Sequence, residues 1–209
     1  MSCPRDSSSA GHACAVPIDE RNQMPTDLDR LVEGMSSARI GSSIPRADAS
    51  ATWLYPSPQM FFNALRRKGH TPQAEDMEVI VTIHNMVNEQ TWQKILCWER
   101  YYHPNADPKL SRFLGRPDQL SPRAWFRTWL LGYTRPFDRH DWYVEREGKE
   151  VRYVIDFYSG GGDGASFHID ARPALDSVPA CYERMHCFSN KILHRLRQTM
   201  DRLLKSDQL

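Results

Sequence analysis

Two segments, Trp142-Tyr143-Val144-Glu145-Arg146 and Val151-Arg152-Tyr153-Val154-Ile155-Asp156-Phe157-Tyr158, flank Glu147-Gly148 and commit this part of the chain to an antiparallel hairpin. Period two places Val151, Tyr153, Ile155 and Phe157 on one face, and Arg152, Val154, Asp156 and Tyr158 on the other. Neither face is simply polar, so both are expected to lie against a helix or a cavity rather than open solvent. Phe167 to Pro173 reads as a further strand with a polar tip, and the glycine-rich run Ser159 to Gly164 as a flexible turn. That run lacks the helix-leading pattern of a nucleotide loop.

Helical signals surround this sheet. Ser57-Pro58 and Ser121-Pro122 each offer an N-cap followed by proline at the first helical position. The first opens a helix that turns Phe61, Phe62 and Leu65 inward and ends in Arg66, Arg67 and Lys68 before Gly69. The second carries Trp125, Phe126, Trp129 and Leu130 towards a stop near Gly132. Between them, Val79, Ile83 and Val87 suggest one helix. Asn88 is expected to cap another, which contains Trp92, Ile95, Leu96 and Glu99, with Cys97 buried. Pro108 to Leu114 reads as a short helix. Ser177 caps a long final helix whose stripe of Phe188, Ile192, Leu196, Met200 and Leu203 is bordered by basic residues; it suits either packing on the domain or a membrane surface. The expected fold is α+β, with helices around a small central antiparallel sheet and a long C-terminal helix. Residues 1–50, rich in small and polar residues without period, read as a loosely tethered segment, and 51–209 as a single domain.

Composition narrows the function. With 40% apolar residues and a formal charge of +1, the 209-residue chain can build a core and lacks the cationic excess of a dedicated nucleic-acid binder. No run approaches the ~18 apolar residues of a membrane span, and the N-terminus has neither an apolar signal core nor the acid-poor pattern of a transit peptide. Five cysteines without a pairing pattern read as free thiols.

The densest chemistry is Pro136-Phe137-Asp138-Arg139-His140-Asp141-Trp142, expected on a connection between the helical and strand signals. An imidazole among carboxylates, arginines and aromatic rings supports three readings. His140 can ligate haem iron or another metal; it can serve a hydrolase as general base oriented by Asp138 or Asp141; or the run belongs to a noncatalytic binding module. Trp92 fits either the core or the wall of a flat cofactor. Cys3-Pro4 is a further candidate ligand, and Cys14, two positions after His12, a weaker one, since no compact second pair completes a zinc pattern.

Longer motifs separate these readings. Trp53 to Leu65, Val87-Asn88-Glu89 with Trp92 and Trp98-Glu99, the Pro136–Trp142 run, Arg152 to Asp156, and Asp170 to Ser177 together resemble the mitochondrial cytochrome c-type haem lyases, or holocytochrome c synthases. The resemblance covers about residues 53 to 184. It implies covalent attachment of haem b, with ferrous iron, to the two cysteines of a Cys-x-x-Cys-His segment in apocytochrome c, with apocytochrome c1 a second candidate; the alternative is a noncatalytic haem-binding or haem-transfer module. It implies that His140 is an axial iron ligand, with Asp138 or Asp141 orienting its ring. Trp92 and the aromatic face around Tyr153 become candidate haem walls, Arg139, Arg152 and Arg172 candidate partners of the haem propionates, and Cys3 a candidate haem contact. It also implies the intermembrane space and peripheral attachment to the inner membrane.

Overall fold

The computed structural model describes residues 31–160 and 167–206. Its elements run β1 (Gly41–Pro45), β2 (Thr52–Leu54), α1 (Pro58–Arg67), α2 (Met77–Tyr102), β3 (Lys109–Gly115), α3 (Pro122–Leu131), β4 (Asp138–Arg146), β5 (Lys149–Ser159), β6 (Phe167–Pro173) and α4 (Val178–Ser206). This is the expected α+β architecture with a long helix near the C-terminus. β1 and β2 form a two-stranded sheet, and β3-β4-β5-β6 a four-stranded antiparallel one. The described residues divide into two compact units, the first taking in 31–42 and Leu54–Val87, the second Ser43–Trp53 and the described residues from Asn88 onwards. β1 falls inside the stretch expected to be loosely tethered. Cys3 and Cys14 lie outside the described residues, as does most of the glycine-rich turn.

In the first unit, α1 starts as its sequence dictates. The Ser57 hydroxyl accepts from Met60 N, Pro58 occupies the first turn, and Gly69 takes a left-handed φ of 82° just past the end. Gln59, fully buried, accepts from Val32 N at 2.8 Å and donates to Asn63, so its amide is satisfied rather than stranded. Met60, Phe62 and Ala64 fill the core, while Phe61 and Leu65 are only half-buried. The start of α2 buries Met77 and Val81; Val79 and Ile83, the expected apolar stripe, are exposed.

Two element boundaries differ from the sequence reading. The helices expected on either side of Asn88 are one, α2, because no glycine or proline interrupts 77–102 and an interior asparagine costs only a fraction of a kcal/mol, below ~0.7. Cys97 is exposed on it rather than buried. The short helix expected at Pro108–Leu114 is instead β3. Its register on β4 shifts between Leu110 and Arg112, so Ser111 is an extra residue. That insertion turns period two into the spacing Leu110, Phe113, Leu114, which imitates a helix.

The second unit is built on the hairpin. Glu147 and Gly148 both adopt positive φ, 50° and 74°, as a two-residue turn matching strand twist requires. Opposed pairs put His140 with Gly115 and Ile155, Trp142 with Phe113 and Tyr153, and Asp138 with Phe157 on one face. The C-terminal half of α2 lies against this face: Tyr153 donates to Glu99 at 2.6 Å. Trp142, Val144, Tyr153, Ile155 and Phe157 are buried there, each such side chain contributing about 1.5–3 kcal/mol. The other face carries Asp141, Arg139, Asp156 and Arg172, joined by the N-cap of α3: Ser121 accepts from Ala124 N and donates to Asp156. Of α3 itself only Ala124 is buried; Trp125 and Trp129 are 56% and 74% exposed. Ser177 caps α4 through Ala180 N. No helix among the described residues is long and apolar enough to cross a membrane.

Candidate functional site

The polar heptapeptide is not a connection. From Asp138 onwards it is the first half of β4, paired to β3 on one side and β5 on the other. Alternation therefore splits its chemistry: Asp138, His140 and Trp142 share the face that α2 covers, whereas Arg139 and Asp141 point to the opposite side.

His140 lies near the end of the sheet with its side chain 24% exposed, its Nε2 3.2 Å from Asp138 Oδ2. The ring edge meets Phe157 at a centroid distance of 5.4 Å and 77° between planes. Across the sheet is Gly115, where an added Cβ would come 3.5 Å from the imidazole, in ordinary van der Waals contact with it. Nδ1 is buried with no hydrogen-bond partner. One nitrogen held by a carboxylate and the other without a protein partner is the donor arrangement of a ligating histidine, whose carboxylate fixes tautomer and ring orientation. Among the described residues no trio of His, Cys, Asp or Glu is grouped to hold a metal ion. His140 therefore has no further protein ligand grouped with it among the described residues, and its unpartnered Nδ1 is enclosed by the protein. The contact also separates the two candidate acids, since Asp138, not Asp141, touches the ring.

Asp141 is fully buried and receives three guanidinium groups, from Arg139 and Arg116 at 3.0 Å and Arg152 at 3.2 Å. Arg139 is 8% exposed and also reaches Gln119 O. Burial opposes the charge of Arg152, but its hydrogen bond to Asp176 and the carboxylates of Asp176 and Asp141 outweigh that and raise its pKa. Arg172, 2% exposed, bonds Asp156 at 2.5 Å, Ser121 at 2.7 Å and Asp170 at 3.1 Å. All three arginines singled out from sequence are therefore paired with carboxylates of the chain itself.

The aromatic candidates are core residues. Tyr153 is 1% exposed, and burial, reinforced by neighbouring Glu99, pushes its hydroxyl well above the ordinary tyrosine range. Glu99 is in turn held by Arg146 at 3.1 Å. Trp92, 2% exposed, forms the floor of a cleft of about 330 Å³ with Pro45, Leu96, Glu99, Arg100 and Pro104. His140 does not line that cleft. A second cleft, of about 180 Å³ and lined by Arg127, Tyr133, Thr134, Tyr158, Ser159 and His168, went unnoticed in the sequence. Its residues come from three separate stretches, and only the pairing of Tyr158 with His168 reveals it.

Comparison with known proteins agrees with the motif pattern. The cytochrome c/c1 heme lyase family matches residues 6–188. A holocytochrome c-type synthase of Gallus gallus is 48% identical over 174 residues, covering 78% of this chain and 63% of that protein. The corresponding protein of Bos taurus is 48% identical over 199 residues, covering 88% and 71%. A putative holocytochrome-c1 synthase of Schizosaccharomyces pombe is 48% identical over 143 residues, covering 66% and 65%. The chain thus spans slightly less than two thirds of the chicken protein and somewhat more of the bovine one. No solved structure matches. Matched across most of its length, and carrying His140 within the matched region, the chain belongs to the cytochrome c/c1 heme lyase family.

Proposed function

We propose that this protein is a holocytochrome c-type synthase that brings haem b, with ferrous iron, and apocytochrome c together and joins them covalently. Each thiol of the partner's Cys-x-x-Cys-His segment adds across one haem vinyl group. A carbon–sulfur bond forms, the thiol hydrogen passes to the other vinyl carbon, and there is no net oxidation. Haem and apocytochrome are both substrates, and the cysteines of this chain take no part. The family match supports the reaction class, and the name carried by the fission yeast relative supports apocytochrome c1 as a second substrate. The compartment proposed on the same ground is the intermembrane space, with peripheral attachment to the inner membrane.

The observation that carries the site is the imidazole of His140, one nitrogen against Asp138 and the other lacking a protein partner. His140 is assigned as an axial ligand to the haem iron and Asp138 as the group that orients its ring. The protein's contribution is placement: fixing a thiol against a vinyl carbon removes much of the entropic cost of their encounter. Strand pairing on both sides of His140 and the Phe157 ring against its edge give this ligand a fixed direction. Trp92 and Tyr153 are sealed in the core and are not assigned a haem contact.

The test is a haem spectrum of the purified protein before and after apocytochrome c is added. His140→Ala is expected to lose most bound haem and nearly all covalent product while remaining folded, its side chain being partly exposed. Wild-type yield of covalent product from that variant would overturn the assignment. Haem retention by the wild-type protein without any covalent product would identify a haem-transfer module instead.

A further inference from the structure

α3 carries its apolar stripe on the outside. Pro122, Trp125, Phe126, Trp129 and Leu130 follow the i, i+3, i+4, i+7, i+8 spacing that normally turns one helix face towards a core. Here the opposite side meets the fold. Ala124 is buried there, and Ser121 at the N-cap donates to Asp156 and accepts from Arg172. The four large side chains of the stripe are 46–74% exposed. The chain continues in kind, with Leu131, Tyr133 and Phe137 exposed as well. An aromatic face this broad, unused by the sheet on which its helix is anchored, marks a contact with something else.

Charge selects the occupant. Between Asp118 and Asp138 the sequence has no acidic residue, whereas Arg123, Arg127 and Arg135 all fall there. Arg123 shares the carboxylate of Asp170 at 3.3 Å, and Arg127 stacks on Tyr133 with its Cζ 4.4 Å from the ring centroid. Arg135 is exposed. Apolar rings bordered by cations match a surface that is apolar beneath and anionic on top, the make-up of an acidic-lipid bilayer. Tryptophan and tyrosine settle at the headgroup level of such a surface, because each ring is apolar with one polar edge. A helix of 10 residues is about 15 Å long. That is about half the thickness of the hydrocarbon layer, so α3 lies along the surface rather than crossing it. Two copies of the chain stacked on this face would instead set these arginines against their symmetry mates.

We propose that the outward face of α3, centred on Trp125 and Trp129, is the surface by which this protein rests on an anionic bilayer. The inference deepens the peripheral attachment proposed above and rests on it. The rings enter the headgroup layer, and the arginines pair with lipid phosphates. The competing exposed stripe, with Phe188 and Leu196 on α4, contains no tryptophan.

The test floats the full chain with vesicles of phosphatidylcholine alone and of equal parts phosphatidylcholine and phosphatidylglycerol. Wild type should bind the anionic vesicles and scarcely the neutral ones, with binding falling as salt is raised. Trp125→Ser combined with Trp129→Ser should weaken it about tenfold or more. The thermal melt should not change, both side chains being exposed. Arg135→Gln should weaken binding about fivefold, and Phe188→Ser on α4 should leave it unaltered. If wild type binds neither vesicle, the peripheral attachment itself fails. If it binds and the double variant binds equally well, or if Phe188→Ser causes the loss instead, attachment stands but α3 is not its surface. Two further arms, run without lipid, address other occupants. Wild type sedimenting as a dimer and the double variant as a monomer would make this face a contact between copies. Apocytochrome c binding lost in a double variant that still binds vesicles would make it the seat of that partner. Either result overturns the proposal.

Discussion

On the face of the sheet that α2 covers, His140 stands among Phe113, Trp142, Tyr153, Ile155 and Phe157 with one nitrogen unpartnered. On the opposite face Asp141 alone receives three guanidinium groups, and Arg172 is enclosed by Asp156, Asp170 and Ser121. The same seven-residue stretch supplies both. Arg139 and Asp141 are consumed by the ion pairs of one face, while on the other Trp142 is core and Asp138 holds His140. Richness in polar groups is therefore a poor guide to function unless the partner of each group is known. An arginine paired at 2–10% exposure has little to offer a substrate, whereas an imidazole with one nitrogen still without a partner keeps a donor or acceptor in reserve.

Substitutions on the two faces should separate these roles. The largest loss of stability is expected from Asp156→Ala, which leaves Arg172 buried without its principal counter-charge. Chemical denaturation should show destabilisation of about 3–5 kcal/mol. A change below ~1 kcal/mol would mean that Asp170 and Ser121 suffice.

Tyr153→Phe comes next at about 1–3 kcal/mol, because Glu99 loses a buried donor. It also has a pH signature. Tyr153 keeps its proton in the folded protein at pH values where an unfolded tyrosine, with a pKa near ~10, has released it. The native state then binds more protons than the unfolded one, so stability falls as pH rises above ~10. Denaturation midpoints measured from pH 8 to 11 should decline less steeply in Tyr153→Phe. The same slope in both proteins would assign the alkaline loss elsewhere, Tyr102 being a candidate, with its hydroxyl pushed up to about 12 by burial first and by the neighbouring Cys187 and Tyr101 next.

The smallest effect on stability belongs to Asp138→Asn. Its carboxylate is 32% exposed, so less than ~1 kcal/mol should be lost. Haem affinity should nonetheless drop about 10- to 100-fold, as when a carboxylate that orients a ligating histidine is removed. A variant that binds haem like wild type would show that strand geometry alone orients the ring.

Much of this was legible in the sequence where the signal is local. Ser57-Pro58 and Ser121-Pro122 start helices, Glu147-Gly148 closes a hairpin, and Phe167 to Pro173 is a strand, because caps and turns depend on the residues that form them. The misreadings have non-local causes. A single inserted residue, Ser111, disguised β3 as a helix. The charges of 138–141 suggested a loop because their partners Arg116, Arg152 and Phe157 lie on other strands or beyond them. At the site, His140 could be singled out by residue type, but which aspartate touches it could not; a one-position difference in a strand decides it. The Arg127 cleft was invisible because its lining comes from three stretches that only the fold brings together.

The convergence of Arg116, Arg139 and Arg152 on Asp141 also bears on how such a sequence can change over time. Replacing the aspartate leaves three cations facing one another, whereas replacing any one arginine leaves a carboxylate that still has two. Substitutions around this knot are therefore unequal and order-dependent. The arginines can be exchanged one by one, but the aspartate can go only after most of them have gone, so this corner of the sheet drifts along a narrow set of routes.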